Sequence, residues 1–594
     1  MRILKIWIVV AATFLLSMTS CQEKDAVSLV ENVSVSVGKK QVTFRGATVT
    51  VSFNAPYKWD ASLVLKNGDG EWAKIKDDTK SGGPEKKTVR IVFEENKSAD
   101  ERVCELWLKL EGHGEECITT LSQAASADAA DAAISQYLNS YMHDILKKDY
   151  LFVDAYNELE VDLTVSYKDF LSTHLLKLGT VNEADGGYHK ETGERFVYTN
   201  IAEVQIGTKA IETGGFGFGP FISTALAQGS NEMGIAPAYV RRGSPAAAAG
   251  LRRGDLIYGV NGMKLTADSG NYRDYMNKLY QGNSGTFTFN FMRLEDVNGM
   301  YQWKEYTSSP VAAAPHIYDP VLYLSLLTDP NNPATKIGYL VYESFDLNSQ
   351  EFLKDAIDQF VEAGITDLIL DLSFNAGGAV AQSRWLSGCI AGQANEMNTY
   401  TKVIYNNGKE ENWTFGYGYN NEVDNLGKPT YLGLNRLFVI TSYNTASAAE
   451  LVINSLRGVD FPVKLIGGVT EGKNVGMTVS EVDYQTRRFQ FAPVTFWVKN
   501  AKDYGDYPNG ITPDEFIPGS YDNNAFPYSF ADWGNIDKNI ALQWAYCDIT
   551  GQDRWATPIT RSAEMSVSPV IYEVQPLEMK NGRYGNLVYY GNNN

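Results

Sequence analysis

Residues Arg436 to Gly458 read RLFVITSYNTASAAELVINSLRG. Leu437, Phe438, Val439 and Ile440 form the short unbroken apolar run of a buried strand, and after a tight polar turn Ala448, Leu451, Val452 and Leu456 recur near helical spacing. Ser447 stands where strand becomes helix. The first N–H groups of a helix have no internal partner and stabilise an anion beside such a hydroxyl, which suits a nucleophile. Serine also caps helices for purely local reasons. On this stretch alone the two roles are evenly matched.

The rest of the chain bounds the choice. At 594 residues three or four domains are expected. A formal charge of −19 argues against nucleic acid, because phosphates are repelled over most of the surface. Arg2 and Lys5 precede an apolar run from Ile6 to Leu16, too short to span a bilayer, so residues 1–21 read as a signal peptide. Thr19, Ser20 and Cys21 resemble a bacterial lipoprotein cleavage site, at which Cys21 would be lipidated; ordinary cleavage beside a chance cysteine is the alternative. Glu23 and Asp25 hint at surface export. The expected location is the bacterial envelope, with the protein lipid-anchored at the outer membrane or cell surface. Cys104 and Cys117 flank the turn-like EGHGEE and are expected roughly opposite each other on a hairpin, in a compartment that permits disulfides. Cys389 and Cys547 read as buried thiols. No cysteine spacing suggests a metal.

The reading is a multidomain α+β chain. Residues 26–125 alternate apolar and polar in short runs such as VSVSVG and KTVRIVF, the pattern of a β-sandwich. YKWDAS, GEWAKI and CELWLKL resemble the BACON modules of Bacteroidetes lipoproteins. That resemblance implies contact with carbohydrate, with Trp59 and Trp72 either sugar platforms or, as is commoner in small sandwiches, core. Residues 126–200 turn helical, with Ile134, Tyr137, Leu138, Tyr141, Met142, Ile145 and Leu146 on one stripe. His143 falls off that stripe and is expected exposed, and a second helix is expected from Tyr167 to Leu178 with a structural His174. In residues 201–306, GSPAAAAGLRRGDLIYGVNG from Gly243 resembles a PDZ domain. Upstream, Gly215, Phe216, Gly217 and Phe218 fit its carboxylate-binding loop, where glycines let N–H groups point at a peptide's terminal carboxylate. A module that only packs against its neighbour is the alternative. From 317 to 550 strands and helices alternate, closing on a helix expected around Ile536 to Tyr546. The tail 551–594 matches nothing legible.

A serine nucleophile needs a base, and all five histidines lie at or before His316. A distant histidine is open, but a lysine desolvated by apolar groups and glycine-rich backbone is the better candidate, and Lys473 in TEGKNVG has that setting. TASAAE, followed 26 residues after its serine by that lysine, resembles the C-terminal processing or tail-specific peptidases, serine peptidase family 41. The resemblance implies Ser447 as nucleophile, Lys473 as general base and Glu450 as the residue that orients or tunes the lysine. DLSFNAGG from Asp371 resembles the family's DLRxNxGG, so the N–H of Gly377 or Gly378 with that of Ala448 would form the oxyanion hole. The departures are Ser373 for arginine, Ala376 for proline, Asn474 for glycine and a serine-to-lysine spacing one residue longer. A ClpP/crotonase-like catalytic domain is implied, acting without cofactor or metal on protein substrates with free C-termini. The competing function is a catalytically inactive lipoprotein that binds glycans or peptide tails.

Overall fold

The computed structural model describes residues 29–37, 40–84, 87–182, 185–188, 193–204, 212–227, 229–297, 300–416, 427–517, 533–536, 539–554 and 588–589. Cys21, the signal segment and the tail beyond 554, apart from 588–589, lie outside them. The chain divides into two compact units, Met1–Tyr141 with Asp162–Phe170, and Met142–Val161 with Leu171–Asn594.

In the first unit, strands such as Ala47–Asn54 and Thr88–Phe93 turn Val49, Val51, Phe53, Val89, Ile91 and Phe93 inward. A four-stranded and a five-stranded sheet share one core. Trp59 and Trp72 belong to that core at 2% exposure each, so they are packing residues and not sugar platforms. The expected facing of Cys104 and Cys117 is corrected. Register pairs Cys104 with Leu121 and Cys117 with Trp107, because the hairpin turns between Leu110 and Gly114, nearer in sequence to Cys117 than to Cys104. Cys104 is a free, fully buried thiol. Helix Ala127–Asp149 buries Ile134, Leu138, Met142 and Leu146, while Tyr137 is 44% exposed and lies outside the buried stripe. In the second unit, to which His143, His174 and residues 186–197 belong, His143, expected exposed, is half-buried with Nδ1 2.9 Å from the Tyr156 hydroxyl. His174 is fully buried in helix Tyr167–Leu175. The expected helical character stops before residue 200. The glycines at 186 and 187 open a short antiparallel pair, Gly186–Tyr188 with Arg195–Val197.

The second unit is layered around a six-stranded sheet whose central strands, Asn332–Tyr342, Asp367–Asp371, Leu437–Thr441 and Val463–Gly467, run parallel. Every residue of Leu437–Thr441 is buried, as a strand covered on both faces must be. Leu437 and Val439 face one core with helices Gln350–Ala363, Val380–Ala391 and Ala448–Gly458. Phe438 and Ile440 face the other, with helix Ile540–Thr550 and the PDZ-like residues Ile222, Ala236, Ala238 and Tyr239. That last helix begins later than expected because Asn539 caps it, accepting from the Leu542 N–H at 3.1 Å. A second sheet carries Val475–Thr478 beside Val494–Lys499, and from the tail Val588 and Tyr589 pair in parallel with Met477 and Thr478.

Strands Phe221–Ala225, Met233–Pro237, Leu256–Val260, Phe289–Val297 and Met300–Thr307 form the PDZ-like sheet, with Phe221–Ala225 at one end of the order. This module is docked on the layers of the six-stranded sheet by charge and rings. Arg241 straddles Glu343, with Nη2 to Oε1 at 2.6 Å and Nη1 to Oε2, and the Tyr239 hydroxyl donates to the same carboxylate. Arg253 lies 3.9 Å above the Trp533 ring, and Tyr239 meets Phe374 edge-on at 5.8 Å. Removing one partner of a buried pair strands the other's charge. Arg241→Ala is therefore expected to lower unfolding free energy by about 3–5 kcal/mol, and the Arg241→Ala/Glu343→Ala double variant by less than the two single losses together, both read from urea titrations.

Candidate active site

The elbow brings Ser447 to the end of Leu437–Thr441 and the start of helix Ala448–Gly458. Its backbone is held at φ 59°, ψ −118°, outside the regions an L-residue prefers. Ser447 and Glu450 are arranged as a capping box, in which Glu450 Oε2 accepts from the Ser447 N–H at 2.7 Å while the Ser447 hydroxyl lies towards the Glu450 N–H without a full hydrogen bond to it. The Ser447 side chain makes no capping hydrogen bond, and its Oγ is buried without a hydrogen-bond partner. A hydroxyl that served as a cap would be satisfied. This one is left for something else.

Glu450 is fully buried and takes three further donors: Lys473 N–H at 2.9 Å on Oε2, and Gly472 N–H at 2.7 Å and the Thr470 hydroxyl at 2.6 Å on Oε1. It thus ties the serine's backbone to the lysine's backbone across the elbow. Burial pushes the Glu450 carboxyl up to about 7, against the pull of its donors. Lys473 is 2% exposed, and burial lowers its amine to about 8, opposed by the charges of Glu471, Asp185 and Glu450. Its Nζ donates to Met477 Sδ at 3.4 Å and lies 4.5 Å from the centroid of the Tyr198 ring. Since Ser447 Oγ has no partner, the serine–lysine hydrogen bond of a closed pair is not made in this structure.

The turn after Asp367–Asp371 supplies the facing wall. Gly377, at φ 104°, approaches so closely that a Cβ there would lie 2.8 Å from Ser447 Cβ and 3.0 Å from Ala448 N. Its own N–H donates to Asn375 Oδ1 at 2.8 Å. Of the two glycine N–H groups, that of Gly377 is thus taken up within its own turn. Ser373, in the place of the expected arginine, folds back on the buried Asp371 through its N–H at 3.0 Å and hydroxyl at 2.5 Å. The two turns are stitched together by Thr445 Oγ1 to Leu372 O at 2.8 Å and Ala446 N to Asn375 O at 3.1 Å.

The glycine loop of the PDZ-like module lies apart from this elbow. Phe216 and Phe218 are core residues at 1% and 4% exposure, packed on Phe287 and Phe289, so they have backbone alone to offer a peptide. A Cβ on Gly217 would lie 2.1 Å from Ser244 Cβ, which explains the glycine there. The carbonyls of Gly215, Phe216 and Gly217 accept from Ala314, Ala246 and Arg241. His316 stands beside this loop, and among the described residues no group of three His, Cys, Asp or Glu side chains could hold a metal ion.

Sequence comparison agrees with this geometry. Residues 336–517 match the model of Peptidase family S41 and residues 238–281 that of the PDZ domain. The chain is 28% identical over 242 residues to the carboxy-terminal processing protease CtpA of Bacillus subtilis, covering 41% of this chain and 45% of that protein. It is 25% identical over 258 residues to the chloroplastic carboxyl-terminal-processing peptidase 3 of Arabidopsis thaliana, covering 43% of it. The chain thus spans less than half the length of these curated relatives. Its fold is that of a candidate S41 protease from Bacteroides fragilis, with a TM-score of 0.54 at 22% identity over 69% of this chain and 97% of that one. The chain thus carries a segment similar to the S41 peptidases and a segment similar to PDZ domains.

Sequence reasoning assigned no role to Thr470 or Asn375, although both stand inside the quoted motifs. Tyr198 and Asp185 carried no local signal, because chain folding alone brings them to Lys473. A buried amine that titrates low burdens the fold. Lys473→Met is expected to raise unfolding free energy at pH 7 by about 1–3 kcal/mol. The native lysine binds its proton less tightly than the unfolded one, so wild-type stability climbs as pH rises from about 8 towards 10.5. The gap between variant and wild type should close over that window in paired denaturant titrations. Ser447→Gly, free to adopt the positive φ, should be more stable than Ser447→Ala by about 1 kcal/mol in the same assay.

Proposed function

We propose that the chain is an envelope-anchored serine endopeptidase whose Ser447 and Lys473 form a catalytic pair. The observation that carries the reading is the partnerless, buried Ser447 hydroxyl on a strained elbow, tied through Glu450 to a lysine whose amine titrates low. In the reaction the neutral Lys473 amine takes the proton of Ser447 Oγ as the oxygen attacks the scissile carbonyl. The oxyanion forms against the N–H groups of Ala448 and Gly378. The amine then protonates the leaving nitrogen, and water, deprotonated by the same lysine, releases the acyl group. Glu450 acts through backbone, holding serine and lysine at one separation. Substrates are proteins with a free C-terminus, taken as an added strand at Phe221–Ala225 with the carboxylate at Gly215 to Phe218. The end position of that strand in its sheet supports this mode. Lipidation at Cys21 would hold the enzyme at the outer membrane, and the N-terminal sandwich would act as its spacer.

An unfolded protein with an apolar free C-terminus is the test substrate. Ser447→Ala and Lys473→Ala are each expected to lower kcat/KM at least ~10³-fold with melting behaviour retained. Wild-type kcat/KM should rise with pH and level off above an inflexion about pH 8, where the amine loses its proton. Unchanged cleavage in both variants would leave the binding-lipoprotein reading standing.

A further inference from the structure

The strand that follows Lys473 has a partner drawn from far along the chain. Val475–Thr478 pairs on one side with Val494–Lys499, through Val475 with Trp497, Gly476 with Phe496 and Met477 with Val494. On its other side Val588 and Tyr589 pair in parallel with Met477 and Thr478, as the last strand in the order of that sheet. Two parts of the candidate active site define the place. Met477 is fully buried, and its Sδ accepts from Lys473 Nζ at 3.4 Å. Helix Val380–Ala391 begins two residues after Gly378, and it has Cα atoms within 8 Å of those of the 588–589 pair. The tail strand therefore runs beside both the strand of the lysine and the helix of the glycine turn that faces Ser447.

We propose that the 588–589 segment is a built-in competitor of the substrate: it takes the strand edge of Val475–Thr478 on which an extended peptide would be held beside Ser447 and Lys473, and it must leave before that peptide can bind. The inference rests on reading Ser447 and Lys473 as the catalytic pair, and it adds a regulation of that site. The physical case begins with the ladder. Main-chain donors and acceptors on one side of a strand serve one neighbour, so two strands cannot share the same side of Met477 and Thr478. With the tail gone, Val475–Thr478 becomes the end strand of its sheet, and its outer N–H and C=O groups are open to a peptide. Pairing through main chain draws little on side-chain identity, so a stretch of this chain and an unfolded substrate compete on equal chemistry. The tail has the advantage of its tether, which sets its local concentration whatever the dilution of the enzyme. Against that, two paired residues make a short strand, one that substrate in excess can displace.

The test uses the full-length chain and its Val588→Pro/Tyr589→Pro variant, since proline has no N–H to give a ladder. The first readout is steady-state cleavage of an unfolded protein with an apolar free C-terminus. Loss of an intramolecular competitor lowers KM and leaves kcat alone, and the expected fall in KM is at least ~3-fold. The second readout is amide hydrogen exchange, followed by mass spectrometry in a Ser447→Ala background where nothing is cut. There the proline variant should exchange faster than its parent in the peptide covering 475–478. Saturating unfolded protein should speed exchange at 588–589 in the parent while 475–478 stays protected, because one strand replaces the other. Should the double variant fail to fold, Val588→Pro alone replaces it. An unchanged KM, a kcat that falls while KM holds, or exchange at 588–589 that the unfolded protein does not alter overturns the inference. Release of the tail by the unfolded protein in a chain that cleaves nothing would uphold the competition for the strand edge and refute the proposed function.

Discussion

The Glu450 carboxylate sits one turn into the elbow helix with four donors on its two oxygens, at 2.6 to 2.9 Å. Two of those donors are the backbone N–H groups of Ser447 and Lys473, residues on different elements that have no covalent reason to stay together. A buried carboxylate that lost these partners would carry an uncompensated desolvation cost, so the four bonds form as a set. Ser447's unusual backbone angles persist because the set over-determines them, and the strain leaves the hydroxyl without a local partner. The site is thus built by denying the serine its cap and the lysine its water.

The facing turn is held from two directions. Behind it, Asp371 accepts from the N–H and hydroxyl of Ser373, and Asn375 ties the turn to Tyr342 O and to the Gly377 N–H. Above it, Phe374 packs against Tyr239 of the PDZ domain and against Trp533, whose ring also lies under Arg253. The PDZ domain therefore touches the residue two positions before Ala376 and three before Gly377, inside the turn that faces Ser447. Domain docking and the glycine turn share a side chain, and neither can shift far without the other.

Much of this was legible in residue order, for a physical reason. The buried strand, the elbow and the glycine pair are local: apolar runs, a serine at a helix start and a turn that tolerates no Cβ each leave a mark within a few residues. The nucleophile-or-cap ambiguity was also local, and it turns on side-chain direction, which residue order does not carry: the Ser447 hydroxyl makes no capping hydrogen bond. Three readings went astray where distance or register governs. Cys104 and Cys117 share a hairpin, but its turn between Leu110 and Gly114 lies nearer to Cys117, so the two do not face each other. Tyr137 kept helical period but lies outside the buried stripe, and His143 found Tyr156 across a turn of chain. Tyr198 and Asp185 could not have been read at all, since nothing near them in sequence refers to a lysine that folding brings alongside.

The central claim is that Ser447, activated by Lys473, attacks and is acylated. The most direct measurement is the mass of the enzyme after brief incubation with a peptidyl activated ester and an acid quench, followed by mapping of the modified peptide. The account predicts an acyl adduct on Ser447 that accumulates in wild type, is far slower to form in Lys473→Ala and is absent in Ser447→Ala. Cleavage without any adduct on Ser447, or an adduct confined to another residue, would contradict it.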